Sequence, residues 1–235
     1  MNLQDKNIIL TGGSLGIGKE TAKLLVEKGA NVLITGRSDD RLVLAKKYSG
    51  AETIKFDMSD IDNLSKNSKR CIEHFDNSRI DALINNAGTG VSRKIEDLSY
   101  EDFLKVYNVN VFGLALFTKD IVPLMKKQEY GSIINIGSTA SLKGYNNGSI
   151  YSSSKFALRS MTQCWQSELR KYNIRVSQVN PSEVPTAFGS LDRKERSESD
   201  NKLTVKEIAH AIVSSLEMDD RGFINELNVW ATNPF

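Results

Sequence analysis

The sequence predicts an α/β fold: one doubly wound domain, 1–235, built on a seven-stranded parallel sheet with helices on both faces. Three observations carry that expectation. Short β-branched runs alternate with longer amphipathic stretches from end to end, the pattern of successive βαβ units. The candidate strands are apolar at consecutive positions, as strands buried on both faces must be. The chain of 235 residues holds no internal repeat and no Pro- or Gly-rich linker that would divide it.

Residues 7–11, Asn-Ile-Ile-Leu-Thr, read as the first strand, 17–28 as the first helix and 31–35, Asn-Val-Leu-Ile-Thr, as the second strand. Further strands are expected at 53–56, 80–85, 132–136, 174–179 and 222–229. Long helices are expected at 101–127, 152–171 and 205–218. A charged run at 190–202 separates the sixth strand from the last helix, and it reads either as a solvated loop or as part of a substrate lid spanning 182–203.

Thirty-one Lys plus Arg against 29 Asp plus Glu leave a net charge of +2, too balanced for binding a nucleic-acid backbone. Cys71 and Cys164 are far apart, as are His74 and His210, so no metal site is expected. The thiols read as buried or half-buried, the histidines as helix-surface residues. The N-terminus lacks a basic stretch followed by a long apolar one, and the greasiest segment, 109–117, includes Asn110 and Gly113. Neither a signal peptide nor a membrane span is expected, and a cytoplasmic location follows.

Directly after the first strand stands Thr11-Gly12-Gly13-Ser14-Leu15-Gly16-Ile17-Gly18, opening a helix. Glycines there let the chain turn tightly and bring backbone N–H groups and a helix N-terminus against a pyrophosphate. The letters also fit a nucleoside-triphosphate loop, Gly13 to Gly18-Lys19, but Glu20 stands where that loop needs a magnesium-binding hydroxyl. A Rossmann-type dinucleotide site is therefore expected. Its second strand ends in Thr35-Gly36-Arg37-Ser38, with no carboxylate at the tip to accept from a ribose hydroxyl. Arg37 offers a forked donor suited to a 2′-phosphate, so NADP is the expected cofactor. With Asp39 and Asp40 following, a solvated Arg37 in an NAD enzyme is the rival reading.

The fifth strand runs into Ser138, and Tyr151 and Lys155 follow at a spacing that puts both on one helix face. The pair alone is a weak signal. Together with the glycine loop, Asn85-Asn86-Ala87-Gly88, Asn110-Val111-Phe112-Gly113, Ser138 and Pro181-Ser182, in that order, it makes the chain resemble the short-chain dehydrogenase/reductase family over nearly its full length.

That resemblance implies four catalytic residues. Tyr151 would be the general acid toward a carbonyl oxygen and the base in reverse; Lys155 would lower the phenol pKa and hold the nicotinamide ribose; Ser138 would donate to the substrate oxygen; Asn110, at an interruption in its helix, would hold a water leading from Lys155 to solvent. A phenol with a pKa near about 10 needs such a neighbouring cation to act as a base at neutral pH. The resemblance further implies cofactor contacts from Gly12, Ser14, Leu15, Gly16, Ile17 and Gly18, from Arg37 and Ser38, from Asp57 and Met58 beside the adenine, from Asn86, Ala87 and Gly88 beside the ribose, and from Tyr151, Lys155, Pro181 and Thr186. Duller roles compete: Asn85 bonding backbone within the sheet, Ser138 capping a turn, Asn110 bonding a local carbonyl.

Some positions depart from the family pattern. Ser182 replaces the usual Gly after Pro181, Leu15 fills a loop position often basic in NADP-preferring members, and the ending, 225–235, is not Gly-rich and could pack on a partner subunit. Substrate contacts are expected after Gly88, around 139–145 and from 182–191, with Tyr145, Phe188 and Leu191 offering apolar area. The frame agrees with 3-oxoacyl reductases, although Gln128-Glu129-Tyr130 weakens docking of an acyl carrier. The reading is an NADP-dependent oxidoreductase acting on a small carbonyl or secondary alcohol, with an NADP(H)-binding sensor or scaffold as the alternative. A homodimer or homotetramer is expected through helices 101–127 and 152–171.

Overall fold

The computed structural model describes residues 1–76, 78–188, 196, 197, 199 and 201–234. Its strands are β1 (Asn7–Leu10), β2 (Asn31–Gly36), β3 (Glu52–Lys55), β4 (Ala82–Asn85), β5 (Gly131–Ile136), β6 (Ile174–Pro181) and β7 (Glu226–Val229). Every pairing is parallel, and the order β3-β2-β1-β4-β5-β6-β7 reverses direction between β1 and β4. The helices are α1 (Gly16–Glu27), α2 (Asp39–Ser49), α3 (Leu64–Glu73), α4 (Tyr100–Tyr107), α5 (Leu114–Gln128), α6 (Ser149–Leu169) and α7 (Val205–Glu217).

Alternate strand residues feed two cores. Ile8, Leu10 and Ile34 pack with Leu25 of α1, Leu42 of α2 and Ile212 of α7 on one face. Ile9, Leu33 and Ile133 pack with Cys71 of α3 and Phe117 and Ile121 of α5 on the other. Each fully buried side chain of this size contributes roughly 1.5 to 3 kcal/mol, so both faces of the sheet are committed.

One row of polar side chains crosses the second core. Asn85, Asn135, Gln178 and Glu226 are direct neighbours on β4, β5, β6 and β7. Asn85 Nδ2 donates to Asn135 Oδ1 at 2.9 Å, and Asn135 Nδ2 to Thr162 Oγ1 on α6 at 2.8 Å. Thr162 Oγ1 donates to Gln178 Oε1 at 3.0 Å, and Gln178 Nε2 to Asn180 Oδ1 at 2.7 Å. Asn180 Nδ2 closes the row on Glu226 Oε1 at 2.8 Å. Asn85 thus serves the sheet through side chains, Asn135 and Thr118, rather than through backbone.

Several expected elements are revised. The pattern at 101–127 is not one helix: α4 and α5 are joined by a π-helical turn, Asn108–Gly113. Gly113 allows it, because a Cβ there would sit 2.0 Å from the Met58 carbonyl oxygen. Strand 222–229 shortens to Glu226–Val229, since Gly222 is used in a turn back to Asp219. Cys71 is buried but Cys164 is exposed on α6, because its helix face lies opposite the one that meets the sheet. His74 and His210 are exposed at the end of α3 and on α7. Among the described residues no helix is long and apolar enough to cross a membrane.

Candidate active site

All loops that leave the C-terminal ends of β1 to β6 converge on one cleft of about 860 Å³. Clefts in open parallel sheets form there because neighbouring crossovers diverge at the point where strand order reverses. The walls come from the glycine loop, the β2–α2 and β3–α3 turns, the segment after β4, the segment 136–145, α6 and the chain after β6.

The glycine loop owes its shape to contacts that exclude side chains. Gly12 and Gly16 have φ of +69° and +53°, and a Cβ on Gly12 would lie 2.7 Å from the Ala87 Cα. A Cβ on Gly18 would lie 2.5 Å from Asn86 Nδ2. Asn86 explains that crowding: its Nδ2 donates to the carbonyl oxygens of Thr11 and Gly12 at 3.0 and 2.9 Å. Thr11 Oγ1 accepts from Asn86 N and Ala87 N, each at 3.1 Å. The loop is therefore stitched to the segment after β4 across the reversal point, and α1 begins at Gly16, with Leu15 as an N-cap residue whose side chain makes no capping bond. Lys19 and Glu20, the decoy for a triphosphate loop, lie outside the cleft against Tyr48: Lys19 Nζ is 5.0 Å from its ring centroid, and Glu20 Oε2 accepts its hydroxyl at 2.7 Å.

At the β2 tip, Arg37 Nη1 lies 3.4 Å from Asp57 Oδ2, while Asp57 Oδ1 accepts from Ser59 N and Oγ. Ser38 caps α2, its Oγ accepting from Arg41 N at 3.5 Å. Arg41 also lines the cleft. It stands one turn beyond Arg37, so the spacing of four could have found it; attention to the strand tip alone missed it.

At the other end stand Ser138, Tyr151 and Lys155. Lys155 is buried, and its Nζ donates to the Ile136 carbonyl at 2.7 Å while lying 5.8 Å from the Tyr151 ring centroid. Burial pushes its ammonium down to about 8. Burial also pushes the Tyr151 phenol above its usual value, and a hydrogen bond from Ser138 pulls it partly back. Desolvation is the largest cause of the phenol's shift, and Lys155 Nζ is bonded to the Ile136 carbonyl. Ser138 also caps the short helix Thr139–Ser141, accepting from Ala140 N at 3.1 Å. Phe188 closes over Tyr151 with ring centroids 5.4 Å apart.

Of the expected site residues all line the cleft except Asn110. Asn110 is fully buried behind the wall, its Oδ1 accepting from Thr89 N and its Nδ2 donating to Thr89 O and Ser154 Oγ. Ser154 Oγ in turn donates to the Tyr151 carbonyl at 2.7 Å. Asn110 therefore ties the segment after β4 to the Tyr151 turn of α6. Thr186 packs its methyl against Gly16 and accepts from Phe188 N. Of the expected lid, 189–195, 198 and 200, with Leu191, lie outside the described residues. Ser182, Glu183, Phe188 and Arg196 line the cleft. Trp230 of the tail lines it too, although the tail is expected on a partner subunit; its distance in sequence from every motif hid it.

The model of the short chain dehydrogenase family matches residues 6–197. An uncharacterized oxidoreductase of Staphylococcus saprophyticus is 33% identical over 236 residues, covering 97% of this chain and 98% of that protein. Among solved structures, a putative betaketoacyl-ACP reductase is 28% identical with a TM-score of 0.85, covering 97% of this chain and 98% of the other. An alcohol dehydrogenase from the archaeon Thermococcus sibiricus, complexed with 5-hydroxy-NADP, is 27% identical with a TM-score of 0.87 and 97% coverage of each chain. With the sheet, the glycine loop and the Ser138–Tyr151–Lys155 cluster in place, the match over most of its length means that the chain belongs to the short chain dehydrogenase family.

Proposed function

We propose that the protein is an NADP-dependent oxidoreductase that interconverts a small carbonyl compound and its secondary alcohol. The observation that carries this is the convergence of Ser138, Tyr151 and Lys155 on the same cleft that the glycine loop opens into. The cleft fits a dinucleotide: Gly12, Gly16 and Gly18 line it and keep the turn tight at the N-terminus of α1, where backbone N–H groups suit a pyrophosphate, and a volume of about 860 Å³ is large enough for cofactor and a small substrate. The bound cofactor supplies the hydride.

The chain's own residues do the rest. Tyr151, half-buried in the wall of the cleft, holds its proton at Oη and gives it to the carbonyl oxygen; burial pushes the phenol up, in the direction that favours its protonated form. Ser138 orients that oxygen as a second donor. Lys155, fixed by the Ile136 carbonyl, keeps further N–H donors that would hold the nicotinamide ribose. Arg37 and Arg41 form a pair of guanidinium groups at the adenosine end, which supports a 2′-phosphate and hence NADP over NAD. A panel of carbonyl compounds, 3-oxoacyl thioesters included, assayed for NADPH oxidation tests the reading. Turnover of one or more supports it, and tight NADPH binding with no turnover of any carbonyl would point instead to a sensor.

A further inference from the structure

A carboxylate that does not line the cleft, Glu226, lies two hydrogen bonds from Ser138. The Ser138 N–H donates to Asn180 Oδ1 at 3.2 Å and is shared with Ser141 Oγ at 3.2 Å. Ser141 belongs to the short helix that Ser138 caps, so of these two bonds the one to Asn180 ties Ser138 to β6. Gly137 leaves room for that approach, because a Cβ there would sit 2.1 Å from Asn180 Oδ1. Asn180 Nδ2 donates to Glu226 Oε1 on β7 at 2.8 Å, and Glu226 Oε2 accepts from Arg159 Nη2 at 3.0 Å and Nε at 3.3 Å. Arg159 stands on α6, one turn beyond Lys155.

The Asn180 amide works here only one way round. It must turn its oxygen to Ser138, whose backbone N–H can only donate. The other side chains bonded to Asn180 among the described residues, Gln178 and Asn228, are amides that can present either end. A carboxylate paired with a guanidinium only accepts, so Glu226 alone of the three holds the Asn180 nitrogen to itself and the oxygen toward Ser138. The fork of Arg159 grips one oxygen of Glu226 and leaves the other for Asn180.

We propose, on the basis of the oxidoreductase reading above, that Glu226 is a positioning residue for the reaction: through Asn180 it fixes the turn that aims the Ser138 hydroxyl at the substrate oxygen. With Glu226 gone, the Asn180 amide is free to turn over. Its nitrogen then meets the Ser138 N–H, donor against donor, and the turn gives way. A displacement of about 1 Å in such a group costs on the order of a hundredfold in rate, so a residue that touches neither substrate nor cofactor has a large effect on turnover.

The test uses Glu226→Leu, with Glu226→Gln as the conservative variant that keeps one acceptor oxygen and Arg159→Met as one that leaves the carboxylate but not its anchor. Three readouts are taken: kcat on a carbonyl that the wild type reduces, the NADPH dissociation constant, and hydrogen exchange at the Ser138 amide. Glu226→Leu should lower kcat about tenfold or more and leave NADPH binding within about twofold of wild type. Exchange at Ser138 should quicken. Glu226→Gln should lose less than Glu226→Leu, and Arg159→Met should change kcat and exchange in the same direction. In a Ser138→Ala background, Glu226→Leu should cost less than about twofold further, because no hydroxyl remains to be aimed. Losses that multiply in full with Ser138→Ala would overturn the proposal, since Glu226 would then act on the fold at large. So would unchanged kcat and Ser138 exchange in folded Glu226→Leu or, if that variant does not fold, in both Glu226→Gln and Arg159→Met. A wild type that reduces no carbonyl refutes the oxidoreductase reading instead, and the exchange measurement still decides whether Glu226 holds Ser138.

Discussion

The side-chain oxygen of Asn180 accepts the backbone N–H of Ser138 at 3.2 Å. The same oxygen accepts from Gln178 Nε2, and the amide nitrogen donates to Glu226 and Asn228, so the β5 end is held by a fully buried group on β6. Asn180→Leu removes every one of these bonds. We expect a loss of stability in urea unfolding, with each orphaned buried group costing about 1 to 3 kcal/mol. We also expect a lower kcat with an NADPH dissociation constant close to wild type, because Ser138 shifts and the glycine loop does not. Unchanged kcat in folded variant protein would show that the bond positions nothing.

Tyr151→Phe deletes one oxygen and leaves the ring against Phe188. With its proton donor gone, turnover should fall by roughly 10² to 10⁴, while NADPH binding by titration calorimetry stays near normal. Near-normal kcat on a confirmed substrate would remove Tyr151 from the chemistry.

Arg37→Ala should weaken NADPH binding by about 1 to 3 kcal/mol and leave NADH nearly unchanged. Arg41→Ala should act in the same direction. Equal losses for both cofactors in either variant would reassign these guanidinium groups to the Asp57 side of the cleft.

Lys155 sets a pH signature. Its folded-state pKa of about 8 lies below the ordinary 10.5, so between those values the unfolded chain binds the extra proton and stability rises with pH. Lys155→Met removes that titration. Measured by urea unfolding, the stability difference between the two proteins should therefore move in favour of wild type as the pH is raised from 7 through 10, by up to about 3 kcal/mol. A difference independent of pH would mean that Lys155 is not desolvated.

Self-association should run through exposed aromatic side chains. Phe112 in the π-helical turn and Phe156 on α6 are 46% and 43% exposed, on the helices expected to pair with their copies. Light scattering should report a homodimer or homotetramer, and Phe156→Glu should shift it toward monomer. Wild-type protein that scatters as a monomer at micromolar concentration would refute this.

The legible parts of the molecule are those written in local spacing. The glycine loop, the Tyr151 and Lys155 pair and all seven strands follow from residues a few positions apart, where backbone geometry turns spacing directly into direction. The break at Asn108–Gly113 was legible only as an interruption at Asn110; its π form depends on the Met58 carbonyl, which local sequence does not show. Arg196 and Trp230 reach the cleft from chain segments with no motif, brought there by the β6–β7 edge. Desolvation of the Tyr151 phenol is illegible for the same reason, being a property of the packed wall and not of the Tyr-to-Lys spacing.

A strand that joined the sheet two residues out of step would still point its hydrocarbon at the correct core. For β5 such a slip exchanges Ile133 for Asn135 opposite Asn85, and burial of apolar area alone would barely distinguish the two alignments. The buried amides do distinguish them. Asn85 and Gln178 would each face an isoleucine in place of the Asn135–Thr162 relay, at about 1 to 3 kcal/mol per stranded group. Parallel strands must find one another across long intervening segments, so wrong alignments are sampled before the right one. The polar row acts as a proofreading mark for assembly, and variants that replace it with leucine should fold to a less uniform population even where they gain hydrophobicity.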